Sequence, residues 1–364
     1  MRIAGVLLAV ILLAGCAAPA PGPTAAPSRT PTPTATPAPE ALVPTGATSD
    51  VLTGLAAPWS VVPLENGSAF ISERDSRRIL EFTASGEVRE IAVVADAVSS
   101  GEGGLLGLEV FDDFLYAYYT TASDNRVVRW PLTGGPGSYA LGGDAQVILS
   151  GLGKAGNHNG GRIKVGPDGM LYVTVGDASD IGTSQNPASL NGKILRLAAD
   201  GTIPADNPFP GSAVYSLGHR NPQGLAWDTD GRLWAAEFGQ NTWDEINLIE
   251  PGGNYGWPNI EGVAGDPAYI DPVVQWSTDD ASPSDLAAVG ASLFMAGLGG
   301  ERLWVIDPAS GTSSEIFAGQ FGRIRDAVAA PDGSLWIVTN NTDGRGSPRD
   351  GDDRIIRVEL GPRG

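Results

Sequence analysis

The chain keeps only two histidines in 364 residues, and both stand in short runs of similar make-up, NHNGGRI (157–163) and GHRNPQG (218–224). An imidazole beside an acid is the usual general base at neutral pH, because its proton affinity lies where proton transfer is needed. The acid offered to His158 is Asp177. The stretch GPDGMLYVTVGD (166–177) turns at Asp168-Gly169, ten residues after His158 and nine before Asp177. A hairpin folded there brings imidazole and carboxylate to one open end. The carboxylate then holds the ring in one tautomer and makes it a better base. His219 adjoins Arg220 and reads as a loop buttress.

The same arithmetic places cations. The turn at Asp230 sets Arg220 ten residues before it and Gly239 nine after; the turn at Asp332 sets Arg323 nine before it and Asn341 nine after. In RIRD the side chains of an extended segment alternate, so Arg323 and Arg325 project together and Ile324 faces away. Three guanidiniums at one rim of an acidic protein point to an anionic guest carrying several carboxylates or phosphates. The competing reading pairs each arginine with a nearby acid, Asp326 and Asp352 being at hand.

The elements that must deliver these residues repeat. GPDGMLYVTVGD (166–177), DTDGRLWAAEFG (228–239) and APDGSLWIVTNN (330–341) share a turn, a strand opening on Leu and an aromatic, and a polar loop. LENGSAFISER (64–74), FDDFLYAYYTT (111–121) and GASLFMAGLGG (290–300) are weaker copies. Six copies with almost no helical periodicity predict an all-β fold, a six-bladed β-propeller of four-stranded antiparallel sheets. A two-sheet sandwich does not explain the repeated phrase. With a net charge of −19 and no basic cluster, nucleic acid is excluded as a partner.

Ahead of the repeats, a basic start and the apolar run IAGVLLAVILLA end in Leu13-Ala14-Gly15-Cys16, the only cysteine. The run is too short to span a membrane, and the pattern resembles a bacterial lipobox. Residues 1–15 are expected to be a lipoprotein signal peptide, with lipid on Cys16 anchoring an exported protein to the cell membrane. Residues 16–49 hold nine prolines and read as an extended tether. Residues 50–364 form the propeller.

GEGGLLGLE (101–109), NHNGGRIKVGPDGMLYVTVGD (157–177), NGKILRLAADGTIPADNPF (191–209), SLGHRNPQGLAWD (216–228), EFGQNTWDEINLIEPGGNYGWP (237–258) and GRIRDAVAAPDGSLWIVT (322–339) together resemble the soluble quinoprotein glucose and aldose sugar dehydrogenases. That resemblance implies a six-bladed propeller binding pyrroloquinoline quinone (PQQ), a tricarboxylate, and Ca²⁺, and oxidising the C1 hydroxyl of an aldose or oligosaccharide to a lactone. It implies that His158 is the base, that Asp177 orients it, and that Arg220 stabilises charge on the quinone oxygen. Asn221, Arg323 and Arg325 would contact the cofactor. The carbonyls of Gly239 and Gln240 would hold its calcium, with Glu245 and Tyr255 at a second calcium site. Two positions depart from the family: Glu102 stands, facing the cofactor, where its glucose dehydrogenases carry Gln, and Gly299 stands where it often places a Lys on the quinone. Electrons would leave to a diffusible or membrane acceptor. Two other readings remain open from the residues: a cofactor-free propeller binding carbohydrate or protein through the same rim, and a calcium-dependent lactonase.

Overall fold

The computed structural model describes residues 39–363, together with Met1 and Gly15; the expectations for the leader and for Cys16 lie outside these residues. Among the described residues no helix is long and apolar enough to cross a membrane.

Six antiparallel sheets follow one another along the chain, each a meander in which consecutive strands are neighbours. They cover residues 58–93, 105–152, 163–217, 221–277, 283–316 and 324–362, and are called blades one to six below. Blade two carries an additional short strand, Ala140–Leu141. The strands are dictated by β-branched and aromatic residues between glycine turns. Gly169 and Gly333 adopt φ of 73° and 81° in the two PDG turns, a conformation that costs a residue with a Cβ. Asp168 and Asp332 accept the N–H groups of Met170 and Ser334 and close those turns.

Blade six is completed from the other end of the chain. The strand Leu42–Leu52 pairs antiparallel with Ile355–Pro362, from Leu42 opposite Pro362 to Leu52 opposite Ile355, and so closes the ring. The tether expected over residues 16–49 is corrected here, since residues 42–49 belong to the propeller. Its composition misleads because this outermost strand is held by main-chain pairing and leaves residues 45–50 exposed, so no buried face imposes a hydrophobic alternation.

Apolar residues pack between neighbouring sheets. Phe294, Ile324 and Ile337, all fully buried, join blades five and six; truncating such a phenylalanine to alanine costs about 3–5 kcal/mol. Arg162, at the start of blade three, draws blades one, four, five and six together through Ser60, Gln223, Ser284 and Asp326. Its side chain is 1 % exposed and meets Asp285 at 2.9 Å and Asp326 at 3.3 Å. It also lies 4.4 Å from the centre of the Trp59 ring. Burial, and Asp326 beside it, hold the Asp285 carboxyl well above the usual range. Hollows lie at both ends of the ring: one of about 270 Å³ beside the PDG turns, lined by Pro167, Trp227, Ala288 and Ala329 among others, and a larger one at the opposite end.

Candidate active site

His158 stands in the loop before blade three with φ of +55°, a strained position for a residue with a Cβ. The loop is fixed from several sides. Gly160 N–H donates to Asn221 Oδ1 at 3.0 Å and His158 N–H to Glu102 Oε2 at 2.9 Å. Across the hairpin, His158 Nδ1 lies 2.7 Å from Asp177 Oδ1. The carboxylate can only accept, so Nδ1 carries the proton and Nε2 is the free ring nitrogen. Burial alone would raise the pKa of Asp177. Its bond to His158 and donations from Trp257 Nε1–H and Ser179 N–H outweigh burial and hold it below the ordinary value.

A cavity of about 360 Å³ opens beside this pair, lined among others by Glu102, Arg220, Asn221, Gly239, Gln240 and Arg323. The spacing argument therefore brings His158, Arg220 and Arg323 to one mouth. Arg325 departs from the expected alternation: the register between the first two strands of blade six shifts between Ile324 and Asp326. Arg325 is buried below the cavity and donates to Gln223 Oε1 at 2.9 Å. Burial first, then the charges of Arg74 and Arg323, push its guanidinium down to about 9.

The local acids named as partners for the arginines serve others. Asp326 faces Arg162, and Asp352 faces Arg354 at 3.1 Å. Arg323 meets Asp343 at 3.2 Å, an acid that also lies 3.9 Å from Arg74. Among the described residues Arg220 has no acid within ion-pair distance; its Nη1 donates to Phe238 O at 3.2 Å. The Nε groups of Arg220, Arg323 and Arg325 are all buried without a partner among the described residues. Two such arginines, Arg220 and Arg323, line the cavity with Arg325 buried beneath them; in a protein of net charge −19 this is the chemistry of a multi-carboxylate seat.

Glu102 is not a bare anion against that seat, because its Oε1 meets Arg345 Nη1 at 3.3 Å. Gly299 also lines the cavity. A Cβ there would stand 2.4 Å from Ser282 Oγ, so any side chain at this position would require the serine hydroxyl to turn away.

Behind Arg220 lies a second, small cavity lined by Glu237, Gly239, Glu245, Tyr255, Trp257 and Glu261. Burial, and Glu237 opposite it on the neighbouring strand, hold Glu245 well above the usual range. Burial likewise pushes Asp244, at the edge of the main cavity, up to about 6. Carboxylates gathered with Arg220 as the nearest cation favour a hard cation such as Ca²⁺. Among the described residues, however, no group of three or more His, Cys, Asp or Glu side chains converges closely enough to hold a metal alone. Main-chain oxygens would therefore have to contribute. Tyr255 can offer only its carbonyl, since its hydroxyl donates to Leu248 O at 2.6 Å and accepts from Glu250 N–H at 2.8 Å.

His219 is a buttress, as expected. It is fully buried, with Nδ1 2.7 Å from Glu237 Oε2 and Nε2 2.8 Å from Ser216 Oγ. Glu237, Asp244, Trp257 and Arg345 went unread in the sequence. The faint signal for Glu237 was its place two residues before Gly239, in the strand that follows the Asp230 turn.

Residues 55–357 match the family model described as glucose / sorbosone dehydrogenase. The PQQ-bound form of an aldose sugar dehydrogenase from Streptomyces coelicolor superposes with a TM-score of 0.83 at 47% identity, over 89% of this chain and 99% of that one. An aldose sugar dehydrogenase of Escherichia coli K12 is 29% identical over 79% of this chain and 88% of its own. Quinoprotein glucose dehydrogenase B of Acinetobacter calcoaceticus is 34% identical over 60% of this chain and 54% of its own.

Proposed function

Because the chain belongs to the glucose / sorbosone dehydrogenase family, we propose that it is a quinoprotein that oxidises the C1 hydroxyl of aldose sugars to lactones with PQQ and calcium. The observation that carries this reading is a cavity lined by His158, Arg220 and Arg323, in which Asp177 backs the imidazole and the buried Nε groups of both arginines have no partner among the described residues. The donors fit a tricarboxylate, and the couple fits abstraction of a hydroxyl proton. PQQ, when bound, supplies the acceptor for the hydride that leaves C1.

The protein's part is orientation and electrostatics. Asp177 fixes the tautomer of His158, and Nε2 takes the hydroxyl proton as the C–H bond breaks. Arg220, desolvated so that its pKa falls below its ordinary value, acts on developing negative charge with little screening by water. Arg323 and, from below, Arg325 hold carboxylates. Asn221 keeps the loop of the base in place through Gly160. Gly239 and Gln240 would hold the calcium at the cofactor, and Glu245 with the Tyr255 carbonyl the second ion. The open mouth admits mono- and oligosaccharides.

Titration of the purified protein with PQQ and Ca²⁺, followed by glucose and a dye acceptor, tests the reading. Saturable binding with dye reduction is expected, and no binding at micromolar PQQ would refute it. His158→Ala is expected to abolish turnover while PQQ still binds. We further propose that Cys16 carries a lipid that holds the enzyme at the outer side of the cell membrane, where it passes electrons to a diffusible or membrane acceptor. Cys16→Ser is expected to move the protein from the membrane fraction to the soluble one.

A further inference from the structure

We infer that Trp257 is a positioning residue for the reaction, one indole that fixes both the partner of the base and the guanidinium of Arg220. The inference rests on the roles proposed above for His158, Asp177 and Arg220. Its basis is contact geometry. Trp257 Nε1–H donates to Asp177 Oδ2 at 2.9 Å, while Asp177 Oδ1 receives His158 Nδ1 at 2.7 Å. The Cζ of Arg220 lies 5.5 Å from the centre of the same indole ring, within reach of a cation–π attraction. Base and cation come from different blades, the loop of His158 before blade three and Arg220 at the start of blade four. The indole bridges them.

The strut is itself held. Trp257 N–H donates to Gly218 O at 2.9 Å, and Trp257 O accepts from Gln185 Nε2 at 2.8 Å. Gln185 in turn donates to Asn254 Oδ1 at 2.9 Å. The residue is 9 % exposed, so the indole cannot swing without losing its bond to Asp177 and displacing the groups packed around it. Asp177 is fully buried and its second oxygen has only this donor; without it the carboxylate can rotate and release His158 from its tautomer. The charged groups facing the pair from other elements are Arg220 and, through the His158 main chain, Glu102.

Two substitutions separate the roles. Trp257→Phe keeps a ring under Arg220 and removes the N–H. It is expected to lower kcat about ten-fold, the scale of one charge-assisted hydrogen bond, with KM and the PQQ Kd within about two-fold of the parent. Trp257→Leu removes the ring face as well and is expected to weaken PQQ binding, read by fluorescence titration, about five-fold further. The decisive measurement is a cycle with Asp177→Ala. If the indole acts through Asp177, Trp257→Phe changes the residual kcat of that variant by less than about two-fold. An equal ten-fold cost in both backgrounds, or an unchanged kcat in Trp257→Phe alone, overturns the inference and leaves the base assignment standing. Full turnover in Asp177→Ala instead refutes the role of the couple, and the inference falls with it.

Discussion

Glu102 reaches 56 residues along the chain to accept the main-chain N–H of His158 at 2.9 Å. The carboxylate is thus a clamp on the loop of the base as well as a charge beside the cofactor seat, and Arg345 compensates that charge. Clamp and charge can be pulled apart. Glu102→Gln keeps an oxygen for His158 and removes the anion, so the PQQ Kd is expected to fall several-fold with kcat nearly unchanged. Glu102→Ala removes the clamp and is expected to lower kcat about ten-fold, the scale of a hydrogen bond to a charged group. Equal kcat in the two variants would show that the clamp is idle.

A second carboxylate, this one buried, does the same for Arg220. Glu237 accepts His219 Nδ1 on one oxygen and Arg220 N–H on the other, and His219 stacks on Tyr255 with ring centres 4.8 Å apart. His219→Phe preserves the stack but strands one oxygen of Glu237 and the hydroxyl of Ser216, at about 1–3 kcal/mol for each buried unpaired group. Thermal unfolding is expected several degrees lower. PQQ is also expected to bind more weakly, although His219 does not line the cofactor cavity.

What could be read from the chain and what could not divide along a physical line. Counting from Asp168 placed His158 against Asp177 because the hairpin between them is regular: Ile163 faces Val173 and Val165 faces Leu171 without a shift. The same counting brought Arg220 and Arg323 to one mouth, and family motifs supplied the cofactor. Alternation failed at Arg325 because the strand bulges there, and a bulge leaves no mark in the composition of RIRD. The strand Leu42–Leu52 was hidden because main-chain pairing needs no apolar pattern. Trp257 was hidden for another reason. Its partners Asp177 and Arg220 lie 80 and 37 positions away in the chain, joined to it only by the packing of two blades. GGNYGWP by itself reads as a turn with packed aromatics.

The crowding of arginines predicts opposite effects on fold and function. Arg325 is buried, meets no acid within ion-pair distance among the described residues, and feels the charges of Arg74 and Arg323. Arg325→Met retains the length of the side chain and removes the repulsion. The cofactor-free protein is expected to melt a few degrees higher, while PQQ affinity falls about ten-fold for the loss of one charge-assisted contact. Melting curves with and without PQQ measure both effects. A variant less stable in both states would show that Gln223 needs the donor more than the cluster suffers from the charge.

That cluster also makes cofactor binding dependent on salt. Part of the attraction between guanidiniums and a tricarboxylate acts over distances that salt shortens, from about 10 Å at 0.1 M to about 3 Å at 1 M. The PQQ Kd is expected to rise with sodium chloride at fixed Ca²⁺, and the slope to be shallower in Arg323→Gln. Identical slopes in parent and variant would remove Arg323 from the seat.

Lys193 gives a pH test of the scaffold beneath the site. It is fully buried, and Nζ donates to Thr183 O, Ser184 O and Asn191 O at 2.8, 2.9 and 2.8 Å. These bonds tie the 181–192 segment under the loop of His219 and Arg220, since Ser184 Oγ also donates to His219 O at 2.7 Å. Burial pushes Lys193 down to about 7, whereas a lysine in the unfolded chain titrates near ~10.4. Between these values the unfolded chain binds a proton that the folded one has released. This group's contribution to stability therefore climbs as pH rises from about 7 to about 10, by up to ~1.4 kcal/mol per unit, and below about 7 its desolvation penalty is full. Lys193→Met lacks that slope and leaves three carbonyls without a donor. Urea midpoints of parent and variant at steps from pH 6 to pH 10 are expected to diverge in favour of the parent as pH rises. Parallel curves would mean that the three carbonyls hold the ammonium charged throughout, and that the seat under Arg220 is insensitive to pH.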